Sequence, residues 1–230
     1  MGRLRRKPGM VDILRKAPDI VIVHEDGFSG QGRWRERFPV PGPLQVELGT
    51  GKGRFLQQMA ERYPQHCFIG MEKEPGILLQ AVRKTREMGL NNLKYILGDV
   101  QFLPQLFAPA EIEILYIHFC DPWPKSRHQK RRLTHEDFLR LYKTLLTPTG
   151  VLRFKTDNRP LFDFSLESFA AAKMELIRVS FDFHADSKEM PDSLATMTEY
   201  EAKFVDAGLP IHYCEARFGK LLEEAPHCVC

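Results

Sequence analysis

The chain changes character at residue 44. Before it, across 1–43, prolines, glycines and charges interrupt every apolar stretch, and neither a twofold nor a 3.6-residue period is sustained. This predicts an irregular, partly mobile N-terminal extension that closes on Pro39-Val40-Pro41-Gly42-Pro43. From Leu44 onward, short apolar runs alternate with segments of helical spacing. Residues 44–48 read as a strand. Phe55, Leu56, Met59, Ala60 and Tyr63 then share one helical face, and Pro64 ends it. Strands follow at 67–71, 93–97 and 112–119, with a helix between the first two marked by Leu78, Ala81, Val82 and Thr85. Pro75 suits that helix's first turn and Gly89 its end.

A further helix begins near Thr134, where Thr134 and Asp137 resemble a capping box and Leu133 and Phe138 a hydrophobic staple. Phe138, Leu141, Tyr142 and Leu145 form its apolar face, and Pro148-Thr149-Gly150 breaks the pattern before a strand at 151–154. Phe162, Ser165, Leu166 and Phe169 fit one more helix, and 176–183 and 211–218 two last strands. Alternating strands and helices predict an α/β protein with a mostly parallel sheet covered on both faces. Right-handed crossovers would place the strand-to-helix loops on one edge. The expected organisation is an extension over 1–43, one domain over 44–218 and a tail over 219–230.

At 230 residues, 43% hydrophobic and 27% charged, the chain is long enough for one ordinary core. The net charge of +3 is too small to specify a partner, so placement matters more. Basic residues gather at 3–7, at 33–37 and above all at 125–132. The five cysteines, Cys67, Cys120, Cys214, Cys228 and Cys230, are too few and too scattered for a disulfide framework, which favours a reducing, cytoplasmic setting. The sequence offers neither a signal-peptide core nor a membrane-length apolar run.

The most informative turn is Glu47-Leu48-Gly49-Thr50-Gly51-Lys52-Gly53, directly after a strand. A phosphate loop would need a glycine five residues before Gly51, and none is there. A dinucleotide fingerprint would need its third glycine at 54, where Arg54 stands. Gly-x-Gly-x-Gly with an acid two residues upstream suits S-adenosylmethionine better. That molecule has no pyrophosphate to cradle, but it carries cationic groups and hydroxyls that carboxylates can meet. Glu72, at the end of the second strand, is placed for a ribose diol, and Asp99, after the third, for an adenine amino group. One such acid alone is as readily a solvated loop group; Glu47, Glu72 and Asp99 at successive strand ends point to a cofactor site with Gly49, Gly51 and Gly53.

After the fourth strand comes Asp121-Pro122-Trp123-Pro124-Lys125. The prolines should stiffen the loop and hold Asp121 and Trp123 extended. Arg127, His128, Lys130, Arg131 and Arg132 follow at a density that suits phosphate contacts. Arg33-Trp34-Arg35 mixes aromatic and basic residues in a way open to RNA contact or to an ordinary surface loop. His118 and Cys120 lie near Asp121, but residues alternating along a strand more often point into packing and turn; His66, His135, His184 and His212 show no ligand spacing, and no metal is expected.

Asp121-Pro122-Trp123-Pro124-Lys125 with Arg127-His128 and Lys130-Arg131-Arg132 resembles the signature of bacterial single-chain transfer-RNA (guanine-N7-)-methyltransferases. The glycine turn, Lys155-Thr156-Asp157-Asn158 and Thr198-Glu199-Tyr200-Glu201 resemble the same family, so that the likeness covers roughly 44–218. Cys120 departs from it, standing where the pattern has Pro or Ser. The resemblance implies a Rossmann-like class I methyltransferase fold, with a seven-stranded, mostly parallel sheet, an antiparallel last strand and helices on both faces. It implies S-adenosyl-L-methionine held by Glu47, Glu72, Asp99 and Asp121, with Asp121 catalytic. It also implies a guanine pocket including Lys125, Asp157, Thr198, Glu199, Tyr200 and Glu201, and transfer RNA methylated at guanine 46 of the variable loop. Such a protein would be a monomer or a homodimer. The alternatives are a methyltransferase acting on another RNA, a protein or a small molecule, and a non-catalytic RNA-binding protein of the same fold.

Overall fold

The computed structural model describes residues 9–28, 30–186 and 199–219, without the side chains of 199, 200, 202 and 203. Eight strands form one sheet: β1 (Val21–Val23), β2 (Leu44–Leu48), β3 (Cys67–Glu72), β4 (Leu93–Leu97), β5 (Ile112–His118), β6 (Leu146–Thr156), β7 (Met174–Ser180) and β8 (His212–Phe218). Their order across the sheet is β1-β4-β3-β2-β5-β6-β8-β7. All neighbours are parallel except β8, which runs antiparallel to both β6 and β7. The helices are α1 (Met10–Arg15), α2 (Arg54–Arg62), α3 (Pro75–Glu87), α4 (Leu103–Leu106), α5 (Glu136–Leu145), α6 (Arg159–Ala171) and α7 (Glu199–Asp206).

Strand register explains why the central runs are apolar on both faces. Val46 pairs with Ile69 and Leu115, and Leu48 with Met71 and Ile117. These side chains share one face, against Leu139 and Tyr142 of α5 and Phe162 and Phe169 of α6. Alternate residues Phe68, Tyr95 and Tyr116 point to the other face, where Phe55 and Leu56 of α2 and Leu78 and Val82 of α3 cover them. A parallel sheet buried on both sides is what the continuous hydrophobic runs require.

Three expectations need revision. The eighth strand is β1, drawn from the supposedly irregular extension: Val21 pairs with Tyr95 and Val23 with Leu97. Pro148-Thr149-Gly150 lies within β6 as a bulge instead of ending the helix before a separate strand. Ile112 pairs with Leu146 but Ile114 already pairs with Val151. Thr134 does not cap α5. It is fully buried and its hydroxyl hydrogen-bonds Ser165 Oγ at 2.7 Å, while His135 Nδ1 accepts from Asp137 N at 3.2 Å.

Residues 30–43 are bound down by two carboxylates. Glu111, buried, accepts backbone N–H groups from Gly32 (3.0 Å), Trp34 (3.1 Å) and Ala108 (2.8 Å). Glu113 accepts from Leu44 N at 2.6 Å and pairs with Arg35. Trp34 is fully buried against Phe28 and Phe107, with its indole N–H donating to Leu106 O at 2.7 Å. The Arg33-Trp34-Arg35 segment is therefore a packing anchor, with Trp34 closed to solvent and Arg35 engaged with Glu113.

Replacing Glu111 by Ala strands three backbone donors that have few other partners. The expected loss is about 3 kcal/mol, read as a lower urea midpoint. A midpoint equal to wild type would remove Glu111 from the stability of the arm.

Candidate active site

The strand ends of β2, β3, β4 and β5 open into one cavity of about 660 Å³. Its walls include Gly49, Gly51, Glu72, Asp99 and Asp121, five residues picked out by sequence from four separate loops. Trp123, Lys130 and Arg131 close one side, and Ile77, Val100, Leu133 and Phe138 supply apolar wall.

The glycine turn is built from left-handed backbone. Gly49, Gly51 and Gly53 have φ of 74°, 58° and 76°, a region costly for other residues. Their roles then differ. A Cβ on Gly49 or Gly51 would enter open space beside the cavity, whereas one on Gly53 would lie 2.5 Å from Tyr95 Oη and 3.2 Å from Ala81 Cβ. Gly53 thus packs α2 against the sheet and does not line the cavity.

Glu72 is nearly buried, and its carboxylate accepts three backbone N–H bonds: Gly51 at 3.1 Å, Lys73 at 2.8 Å and Glu74 at 3.0 Å. Burial pushes its carboxyl above the ordinary range, and those donors pull it part of the way back. Asp99 caps the following turn by accepting from Gln101 N at 3.1 Å. Glu47 sits lower, outside the lining. It accepts from Thr50 Oγ1 at 2.6 Å and meets His118 Nδ1 at 3.0 Å, with both side chains 3% exposed. It ties the glycine turn to the end of β5.

The Asp121 loop departs from the expected extended geometry. Trp123 has φ of 42° and Phe119 φ of 50°, strained positions for bulky residues. The Trp123 ring carries the Arg131 guanidinium at 4.9 Å and the His128 ring edge at 5.7 Å. Arg127 and Lys130 are exposed, as is Lys125, which precedes the short turn Ser126–Arg131. Arg132 breaks ranks with this run. Sequence placed it among the RNA contacts, but it is 8% exposed and turned inward onto the loop's own carbonyls.

The remaining predicted pocket residues are less accessible. Asp157 is half-buried beyond β6 and outside the cavity lining. Glu201, fully buried, pairs with Lys155 Nζ at 2.9 Å and lies 3.2 Å from His184 Nε2. Burial lowers the Lys155 pKa and the Glu201 charge opposes that shift. Thr198 falls outside the described residues, as do the side chains of Glu199 and Tyr200 and the tail with Cys228 and Cys230. Among the described residues there is no cluster of three or more His, Cys, Asp or Glu suited to a metal, and no helix long and apolar enough to cross a membrane.

Residues 41–214 match the family model described as "Putative methyltransferase". A tRNA (guanine-N(7)-)-methyltransferase of Halalkalibacterium halodurans is 44% identical over 94% of this chain and 96% of its own length. One from Geobacillus kaustophilus is 44% identical over 93% of this chain and 96% of its own. The chain belongs to the tRNA (guanine-N(7)-)-methyltransferase family. Among solved structures, the 16S rRNA methyltransferase KamB superposes with a TM-score of 0.59 at 13% identity, over 82% of this chain and 92% of that one. At that identity it speaks for the class I methyltransferase fold alone.

Several residues of this methyltransferase cavity had no sequence signal. Ile77 carried none, and Leu133 and Phe138 read as a hydrophobic staple; His118, which lies outside the lining and meets Glu47, read only as a candidate metal ligand. The one available hint for His118 was its place three residues before Asp121, on the same strand end. The contrasting glycine roles give a test. Gly51→Ala should cost about 1 kcal/mol of stability, the strain of positive φ. Gly53→Ala adds a clash with Tyr95 and should cost about 2–3 kcal/mol. Equal shifts in thermal melts would refute the packing role of Gly53.

Proposed function

We propose that this chain transfers a methyl group from S-adenosylmethionine to N7 of a guanine in transfer RNA, at position 46 of the variable loop. The observation that carries the reading is the union, in one cavity, of Gly49, Gly51, Glu72, Asp99 and Asp121 with Lys130 and Arg131. The donor set fits the adenosyl group. Gly49 and Gly51 leave open space beside their Cα atoms, Glu72 offers a preorganised carboxylate to the ribose hydroxyls, and Asp99 offers another to the adenine amino group. The apolar wall of Ile77 and Val100 suits a purine face. Glu47, beneath the turn, fixes its shape through Thr50.

When bound, S-adenosylmethionine supplies an electrophilic methyl on a sulfonium. Guanine N7 has an in-plane lone pair and no proton, so no residue has to act as a base. The protein's contribution is positioning and electrostatics. Asp121, exposed on the cavity wall, is the carboxylate for the positive charge that arises on the base. Asp157 is the acid assigned to the guanine N1/N2 edge, and Lys125 and the segment 198–201 are assigned to the same pocket. Glu201 acts there through its buried pairing with Lys155, which fastens α7 to the end of β6. Arg127, His128, Lys130 and Arg131 face the RNA backbone. Position 46 lies in the folded core of transfer RNA, so local opening or base extrusion accompanies binding.

Tritiated methyl transfer to an unmodified transfer-RNA transcript, followed by nucleoside analysis, tests the reading. Label should appear in 7-methylguanosine and vanish when guanine 46 is replaced by adenine. Label in another nucleoside, or in protein, would overturn it. Asp121→Ala should lower turnover by about 100-fold or more and leave transfer-RNA affinity largely intact. Comparable loss of both would make Asp121 a structural residue. Arg131→Gln should reduce the salt slope of RNA binding by about one, and an unchanged slope would remove it from the interface.

A further inference from the structure

We infer that Arg132 is a positioning residue, a clasp that fixes the backbone of Trp123 and thereby the placement of Asp121, and that it makes no phosphate contact. The inference rests on the proposed methyl transfer for its catalytic readout. Arg132 Nε donates to Pro122 O at 3.1 Å, and Nη2 donates to Trp123 O at 3.1 Å. Those two carbonyls belong to the peptide planes on either side of Trp123. Holding both planes with one rigid guanidinium fixes φ and ψ of Trp123 together, including the strained φ of 42°.

Few other groups can do this. Pro124 has no N–H, so the plane after Trp123 offers only its carbonyl. The clasp is itself braced: the Arg132 guanidinium lies 4.3 Å over the Phe164 ring of α6, and Arg132 N donates to Gln129 O at 2.9 Å. The alternation with Arg131 is informative. That neighbour is exposed, covers the indole at 4.9 Å and lines the cavity, whereas Arg132 is buried and absent from the lining. Adjacent arginines thus grip the same tryptophan, one by its ring and one by its backbone.

Arg132→Lys keeps the charge but cannot bridge two carbonyls while lying flat on a ring. It should lower kcat for transfer-RNA methylation by at least about tenfold, with KM for transfer RNA little changed. The chain has two tryptophans, and Trp34 is fully buried, so acrylamide quenching reports on Trp123 and should rise in this variant. Arg132→Gln should leave the salt slope of RNA binding at the wild-type value, in contrast to Arg131→Gln. Wild-type kcat and quenching in Arg132→Lys, or a slope in Arg132→Gln that falls like that of Arg131→Gln, would overturn the clasp. Should Arg132→Gln fail to fold, Phe164→Leu removes the brace and keeps both charges. It should lower kcat and raise quenching, and wild-type values for both would equally overturn the proposal. Quenching needs no turnover, so a wild-type protein that failed to methylate transfer RNA would defeat the proposed function and still leave the clasp testable.

Discussion

Parallel register is the constraint from which the site follows. Glu47 opposes Gly70 and Tyr116, Leu48 opposes Met71 and Ile117, and Glu72 opposes Leu97. Strands β2, β3, β4 and β5 therefore end side by side, and each is followed by a loop on the same edge of the sheet. Residues as distant in sequence as Gly49 and Asp121 face one space because of it. A site of this kind lies at the carboxyl edge of an open α/β sheet. Cross-links then lock the loops together: Gly49 N and Thr50 N donate to Met71 O, Gly51 N to Glu72, and Glu47 meets His118. Backbone N–H groups and buried carboxylates together preorganise the turn.

The loop after β5 adds what the sheet edge cannot supply. The proposed substrate, a purine nucleotide within RNA, calls for cationic surface towards its phosphates and an acid held at a fixed point. The same dozen residues provide both because their side chains diverge. Lys125, Arg127, Lys130 and Arg131 stay exposed, while Arg132 turns in. Strain at Phe119 and Trp123 marks where the backbone has been bent away from its preferred course. Such strain persists only where surrounding contacts over-determine it, and Arg132, Phe164 and the bond from Phe119 N to Lys155 O at 2.9 Å are those contacts.

What could be read from sequence divides along the range of the interactions involved. Strand ends with glycines and acids are local signals, and Gly49, Gly51, Glu72, Asp99 and Asp121 meet as expected. The charge run at 125–132 was visible too, but composition is silent on which arginine faces in. Arg132 is distinguished by the folded positions of the Pro122 and Trp123 carbonyls and of Phe164, the last far along the chain. The arm over 30–43 was illegible for the same reason: Trp34 is anchored by Glu111 and Leu106, more than seventy residues away. Val21–Val23 is a strand because β4 offers it an edge, not because three apolar residues specify one. Thr134 carried a capping pattern, yet burial against Ser165 took its hydroxyl elsewhere. Local propensity loses to tertiary partners wherever a polar group is enclosed.

Cys120 raises a chemical question that the fold answers. It lines the cavity next to Asp121, where the family pattern has Pro or Ser. A thiolate there would compete with guanine for a sulfonium methyl, since sulfur is the stronger nucleophile and is always present. Cys120 is half-buried, its partial desolvation pushes the thiol up, and the neighbouring Asp121 charge pushes in the same direction. The carboxylate proposed to favour positive charge on the base also disfavours negative charge on the sulfur beside it. One electrostatic arrangement thus weighs against the thiolate at the place where the proposed methyl transfer calls for positive charge.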